Sequence, residues 1–161
     1  MEVHFLKTDV LVIGGGIAGA FAAFKAREAG ADVLLVDRSY FGRSGCSALA
    51  SGVYPSYMPG DKVEDWINGL GAGPLVNQSL FVKALPVMYE HLMTMNRWGV
   101  KWLKEGENIV RLGAPGRTFK NGAWMSEGGP HMMMAVRAGV LESGVEVLNR
   151  VAVTQLLTSD G

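Results

Sequence analysis

The run Gly14–Gly19, Gly-Gly-Gly-Ile-Ala-Gly, constrains the fold of this chain more than any other feature. Asp9–Ile13 (DVLVI) precedes it and is apolar and β-branched after its first residue, the pattern of a strand buried in a parallel sheet. Ile17–Ala29 follows, rich in Ala, Phe, Lys, Arg and Glu, and stops at Gly30, which reads as a helix with a glycine C-cap. Asp32–Val36 (DVLLV) is a second buried strand, ending at Asp37. Strand, tight turn, helix and strand in this order make a βαβ unit.

In that unit each glycine of Gly14-x-Gly16-x-x-Gly19 has a task. The first permits the tight turn, the second lets backbone approach a pyrophosphate, and the third lets the helix pack close to the strand. The helix start adds free N–H groups and a partial positive charge for phosphates. Asp37, at the end of the second strand, can accept hydrogen bonds from the ribose hydroxyls of an adenosine. Its charge disfavours a 2′-phosphate and hence NADP. A glycine-rich turn that binds nothing is the competing reading, but strand, helix, second strand and terminal acid are all in place.

The chain has 161 residues, 15 basic and 15 acidic, so no net charge draws it to nucleic acid or anionic lipid. Its 48% hydrophobic content suits a packed domain. The single cysteine, Cys46, forms no internal disulfide and belongs to no zinc-like spacing, which fits a reducing, cytoplasmic setting. The N-terminus lacks a basic segment before an apolar core, so no signal peptide is expected. Val10–Phe24 is too short, at fifteen residues, for the ~20 of a membrane span.

Beyond Arg38 the pattern loosens. A short helix is expected around Ser47–Ala50, a loop over Tyr54–Asp61, and a helix over Lys62–Leu70 capped by Asp61. A longer helix capped by Asn77 runs through Trp98, with Pro86 kinking it and Gly99 stopping it. Residues 106–128 read as loops with extended pieces at Ile109–Leu112 and Arg117–Phe119. Helix returns over Pro130–Glu142, then strands at Gly144–Leu148 and Val151–Leu157. The closing Asp-Gly is a hairpin signal without a second strand, so the sequence is expected to stop in mid-fold.

A long insertion between the second strand and the next convincing one separates this order from an NAD-binding Rossmann half. It resembles the flavoproteins related to glutathione reductase. Within them it looks like the flavoprotein subunits of succinate dehydrogenase and fumarate reductase, with L-aspartate oxidase and adenylylsulfate reductase alpha subunits as relatives. The likeness is specific at Thr8–Val53 and Gly144–Gly161. It implies an α/β, Rossmann-like FAD-binding fold, three-layered around a central parallel sheet and incomplete at the C-terminus. Residues 1–161 would then be the N-terminal part of an FAD-binding domain, with a helical insertion at about 54–128 and no capping domain.

Succinate dehydrogenases carry Arg-Ser-His-Thr in this region, and the His bears a covalent bond to the flavin. Here the segment reads Arg43-Ser44-Gly45-Cys46, so Gly45 stands where the His would be and the flavin is expected to be non-covalent. The resemblance further implies that Gly14, Gly16, Ala18 and Gly19 hold the pyrophosphate through their backbones. Asp37 would bind the adenosine ribose, with Arg38 beside the adenine. Ser44, Cys46 and Ser47 would touch phosphate or ribityl, Ser51 and Gly52 would lie against the isoalloxazine, and the Ala152 backbone would meet the adenine. Cys46 itself is expected to be a small packing residue. His131 is expected to hydrogen-bond at a helix start, and Met132–Met134 to be core filler with one edge residue.

The implied reaction is hydride transfer between flavin and a small dicarboxylate or related oxyanion. In the family the substrate-binding His and Arg residues come from later segments, so this chain alone is expected to be inactive or nearly so. An iron–sulfur or other electron-transfer subunit is an expected partner of the parent enzyme, at the inner face of a membrane through such subunits. An NAD-binding dehydrogenase domain, or a fragment that folds without cofactor, remain the alternatives.

Overall fold

The computed structural model describes residues 4–69, 77–113 and 120–158. In chain order its elements are β1 (Val10–Ile13), α1 (Ile17–Glu28), β2 (Val33–Asp37), α2 (Gly45–Ala48), β3 (Val53–Pro55), α3 (Val63–Gly69), α4 (Gln78–Arg97), β4 (Lys104–Glu105), β5 (Asn108–Ile109), β6 (Arg111–Gly113), β7 (Lys120–Trp124), α5 (Gly128–Glu142) and β8 (Glu146–Asn149). They fall into two compact units, Met1–Leu49 with Met133–Gly161, and Ala50–Met132.

The first unit is built on a parallel sheet in the order β1-β2-β8. Val12 pairs with Leu35 and Leu35 with Val147, so the apolar runs stand side by side. Central β2 buries Val33, Leu34, Leu35 and Val36, as a strand flanked on both edges should. Helix α1 packs on β1 and β2 with Ala20, Phe21, Ala23 and Phe24 buried, while α5 contributes Met133, Val136 and Val140. Each large apolar side chain so buried is worth about 1.5–3 kcal/mol. Leu11, Ile13 and Leu148 share the other face of the sheet and are exposed.

The stop of α1 follows the residue chemistry expected of it. Gly30 takes φ +91°, its N–H donates to the Arg27 carbonyl at 2.9 Å, and the Ala31 N–H donates to the Ala26 carbonyl at 3.2 Å. This is a Schellman motif, and the left-handed residue it needs is the glycine. At the other end of α1 the third motif glycine is a steric requirement: a Cβ on Gly19 would overlap the Gly14 carbonyl oxygen.

In the second unit β3-β7-β6 form an antiparallel sheet and β4-β5 a separate ladder. Asn77 caps α4, its side-chain oxygen accepting from the Leu80 N–H at 3.1 Å. The helix runs unbroken through Pro86 and ends in a second Schellman motif at Gly99, φ +93°. Trp66, Leu85, Leu92, Met95 and Trp102 fill the interior. Asp61 organises the loop before α3. It accepts from the Met58 N–H and the Trp66 Nε1–H and pairs with Arg111 of β6 through both its oxygens. Burial pushes the Asp61 carboxyl up. The hydrogen bonds from Arg111, Met58 and Trp66, with the Arg111 charge, outweigh that and hold it below the usual carboxylate range.

Several expectations shift. Helix α2 starts at Gly45, before the expected Ser47, and Tyr54 and Pro55, expected to open a loop, belong to strand β3. Val151–Leu157 is not a strand: residues 151–158 are exposed and pair with no other strand among the described residues, and a strand requires a ladder partner. Arg117–Phe119 and the closing Asp-Gly lie outside the described residues. Met132 and Met133 are buried and Met134 is exposed. His131 bonds through Nδ1 to the Glu127 carbonyl at 3.0 Å.

Gly19→Ala should destabilise the chain by about 3 kcal/mol, because the clashing atom is backbone and cannot rotate away; for this length that is a Tm loss of roughly 6–12 °C in a thermal melt. Asp61→Asn should cost about 1.5–3 kcal/mol near neutrality. Because the folded-state pKa is depressed, this contribution is present above about pH 3.9 and is lost as the pH falls through the folded value. Urea melts of both proteins should therefore differ at about pH 7 and converge as the pH falls below the folded-state value.

Candidate functional site

A cleft of about 570 Å³ opens at the carboxyl ends of β1 and β2. This is where open α/β sheets bind ligands, and the volume is within the usual range of small-molecule sites. Gly14, Gly15 and Gly16 line it with Ile13, Val36, Asp37, Arg38, Ser39, Ser44, Gly45 and Val151–Val153. Apolar side chains thus stand beside backbone amides and one carboxylate.

The backbone donors at the start of α1 can be accounted for one by one. The Gly14 N–H donates to the Val36 carbonyl at 2.8 Å and the Gly15 N–H to Asp37 Oδ2 at 2.7 Å. The Ile17 N–H donates to Ser47 Oγ at 3.1 Å, and the Ala20 N–H begins the helical ladder on the Gly16 carbonyl. The N–H groups of Gly16, Ala18 and Gly19 have no protein acceptor among the described residues. A helix start with unpaired donors and no acidic residue in its first turn suits an anion.

Asp37 is held at both oxygens. Besides the Gly15 amide on Oδ2, the Ser39 N–H donates to Oδ1 at 2.7 Å. A carboxylate oxygen accepts more than one hydrogen bond, so the group is oriented and still able to accept from a ligand. Gly15 makes this possible, since a Cβ there would come within 2.7 Å of both Asp37 Oδ2 and the Phe41 ring. Phe41 is buried, and its N–H donates to Asn149 Oδ1 at 2.8 Å. The Val151 N–H donates to the Asp37 carbonyl at 3.0 Å, after Arg150 turns the chain in the left-handed region at φ 61°.

The structure therefore brings Gly14, Gly16, Asp37, Arg38, Ser44, Gly45 and Ala152 to one cleft. Ser44 already donates its hydroxyl proton to the Tyr40 carbonyl at 3.2 Å, so it faces the cleft as an acceptor. Ala18 and Gly19 belong to the first turn of α1. Cys46 does not pack: it is exposed, because Ala48 is the buried residue of this single-turn helix. Ser51 and Gly52 belong to the second unit. There Ser51 is exposed, and Gly52 is buried with φ +101° and accepts from the Met125 N–H at 2.7 Å. Gly15, Phe41 and Asn149 escape a motif reading. The only sign of the first is the unbroken Gly-Gly-Gly, and Asn149 reads as a break between strands.

Comparison with known proteins gives the same direction. The family described as FAD binding domain matches residues 9–161. A chain of the CoM/CoB fumarate reductase of Methanothermobacter marburgensis is 26% identical over all of this chain and 31% of its own length. A probable fumarate reductase, Ifc3, of Shewanella frigidimarina is 30% identical over 95% of the chain and 27% of its own. The open conformation of a flavocytochrome c3 fumarate reductase superposes with a TM-score of 0.75 at 25% identity, over 95% of this chain and 28% of that one. The chain thus spans about a third or less of the length of these relatives.

Gly16 separates binding from stability. A Cβ there would meet Ser47 Oγ alone, at an ordinary 3.6 Å, and the Gly16 backbone is extended. Gly16→Ala should leave stability within about 1 kcal/mol of the parent. By putting a methyl group at the cleft it should weaken FAD binding at least about tenfold, measured by quenching of flavin fluorescence.

Proposed function

The chain belongs to the FAD-binding domain family, and on that premise we propose that it forms the adenosine- and pyrophosphate-binding part of a flavin-dependent oxidoreductase of the fumarate reductase/succinate dehydrogenase type. The observation that carries this reading is the pairing of two features at the glycine turn, where Gly16 and Asp37 line one cleft and Ala18 and Gly19 follow on the first turn of α1. Unpaired amides at Gly16, Ala18 and Gly19 await an anion, while an Asp37 carboxylate locked by Gly15 and Ser39 awaits hydroxyl donors. A pyrophosphate and a ribose separated by one ester bond have these two needs.

The residues present fit the cofactor. Gly14–Gly16 offer a cradle without side chains, and the Asp37 charge accepts ribose hydroxyls while repelling a 2′-phosphate. Arg38 and the Ala152 backbone stand at the adenine end, and Ser44 and Ser47 toward phosphate or ribityl. Gly45 carries no side chain able to form a covalent flavin link, so the cofactor is held without a bond to this position. When bound, the flavin supplies two-electron acceptor and donor chemistry; this chain's residues bind and orient it. Ser51 and Gly52 are assigned to the isoalloxazine end.

The substrate-binding groups of the parent enzyme belong to other segments, and its substrate is a small dicarboxylate or related oxyanion. An iron–sulfur or other electron-transfer subunit is the proposed partner, and the cytoplasm the proposed location. Among the described residues no helix is long and apolar enough to cross a membrane.

Titration with FAD and with NAD separates the readings. FAD should quench on binding and raise the Tm, and NAD should do neither. Acid precipitation of the loaded protein should release all flavin into the supernatant. Binding of NAD without FAD would transfer the chain to the dehydrogenases, and no response to saturating FAD would leave a fold without its cofactor.

A further inference from the structure

Helix α1 has no cap of its own: its N-cap residue is Gly16, which has no side chain to return to the first turn. The cap comes instead from a residue thirty positions away. Ser47, half-buried in the turn that contains α2, places its Oγ 3.1 Å from the Ile17 nitrogen and accepts that hydrogen bond. Accepting through a lone pair leaves the hydroxyl proton free to donate elsewhere. Ser47 Oγ is the one atom a Cβ on Gly16 would meet, at an ordinary 3.6 Å, so the hydroxyl stands directly beside the N-cap residue.

We propose that Ser47 is a positioning residue for the cofactor, acting as the N-cap of α1 across the fold. By occupying the Ile17 amide it restricts the anion to the Gly16, Ala18 and Gly19 amides. It also ties the Arg43–Ala48 turn to the helix start, so that Ser44 and Gly45 are in place before the cofactor arrives. This role rests on the flavin reading given above and adds to it a mechanism of preorganisation. Ordering costs met in the free protein are not charged again on binding.

The test combines hydrogen exchange with FAD titration of this chain as wild type, Ser47→Ala and Ser47→Thr. In the free protein, Ser47→Ala should reduce protection of the Ile17 amide about tenfold relative to the Leu35 amide in the core, in line with a lost helix cap. Ser47→Thr, which keeps the hydroxyl, should restore it to within about threefold. FAD affinity should follow the same order, falling about tenfold in Ser47→Ala and recovering in Ser47→Thr. Weaker FAD binding with unchanged Ile17 exchange would make Ser47 a direct ligand only and overturn the proposal. Equal losses of protection at Ile17 and Leu35 would overturn it too, as general loosening. If the wild type takes up no FAD, the flavin reading fails, whereas exchange at Ile17 still decides whether Ser47 caps the helix.

Discussion

The close approach of α1 to the turn after β1 is the contact on which the first unit depends. At Gly19 the helix lies against the Gly14 carbonyl with no room for a methyl group. That proximity fixes where the helix begins and where its unpaired amides stand. The parallel sheet then supplies the second coordinate. Registered pairing of Val12 with Leu35 and Ile13 with Val36 brings the ends of β1 and β2 level, so Asp37 stands beside the glycine turn. A shift of this register would turn the acid to another face.

Around this pair of constraints the unit builds a chain of small dependencies. Gly15 must be bare because Phe41 and Asp37 both press against it, and its amide in return orients the carboxylate. Phe41 is tied by its own N–H to Asn149 at the end of β8. Arg150 then accepts a left-handed backbone, which non-glycine residues seldom adopt, and the next residues line the cleft. The acid at the end of β2 is thus held through neighbours on the glycine turn, on its own loop and beyond the last strand.

The first unit was readable because its signals are local and strong. Two apolar β-branched runs, a glycine-stopped helix and a terminal acid each act within a few residues, and the observed elements differ from the expected ones by one or two positions at most in β1, α1 and β2. The second unit was less readable for a physical reason. Strand β7 reads Lys-Asn-Gly-Ala-Trp and β6 Arg-Leu-Gly, neither alternating nor β-branched, and both are strands because they pair with each other, β7 also with β3. The same physics misleads once within the first unit, where Val151–Leu157 has strand-like composition and no ladder partner among the described residues. The apolar interior of the second unit was visible in part, in the helical spacing of Leu85, Leu92 and Met95.

The amino-acid sequence by itself determined the βαβ unit, its phosphate-facing glycines, the acid at Asp37 and the absence of a tethering side chain at Gly45. These follow from steric and charge properties that each residue carries wherever it is placed. Only the tertiary structure decided which amides are already paired, that Ser47 serves Ile17, that Asn149 holds Phe41, and that Cys46 is exposed. Those facts depend on distances between residues far apart in the chain, which come to hydrogen-bonding range only when the sheet register and the packing of α1 have been set.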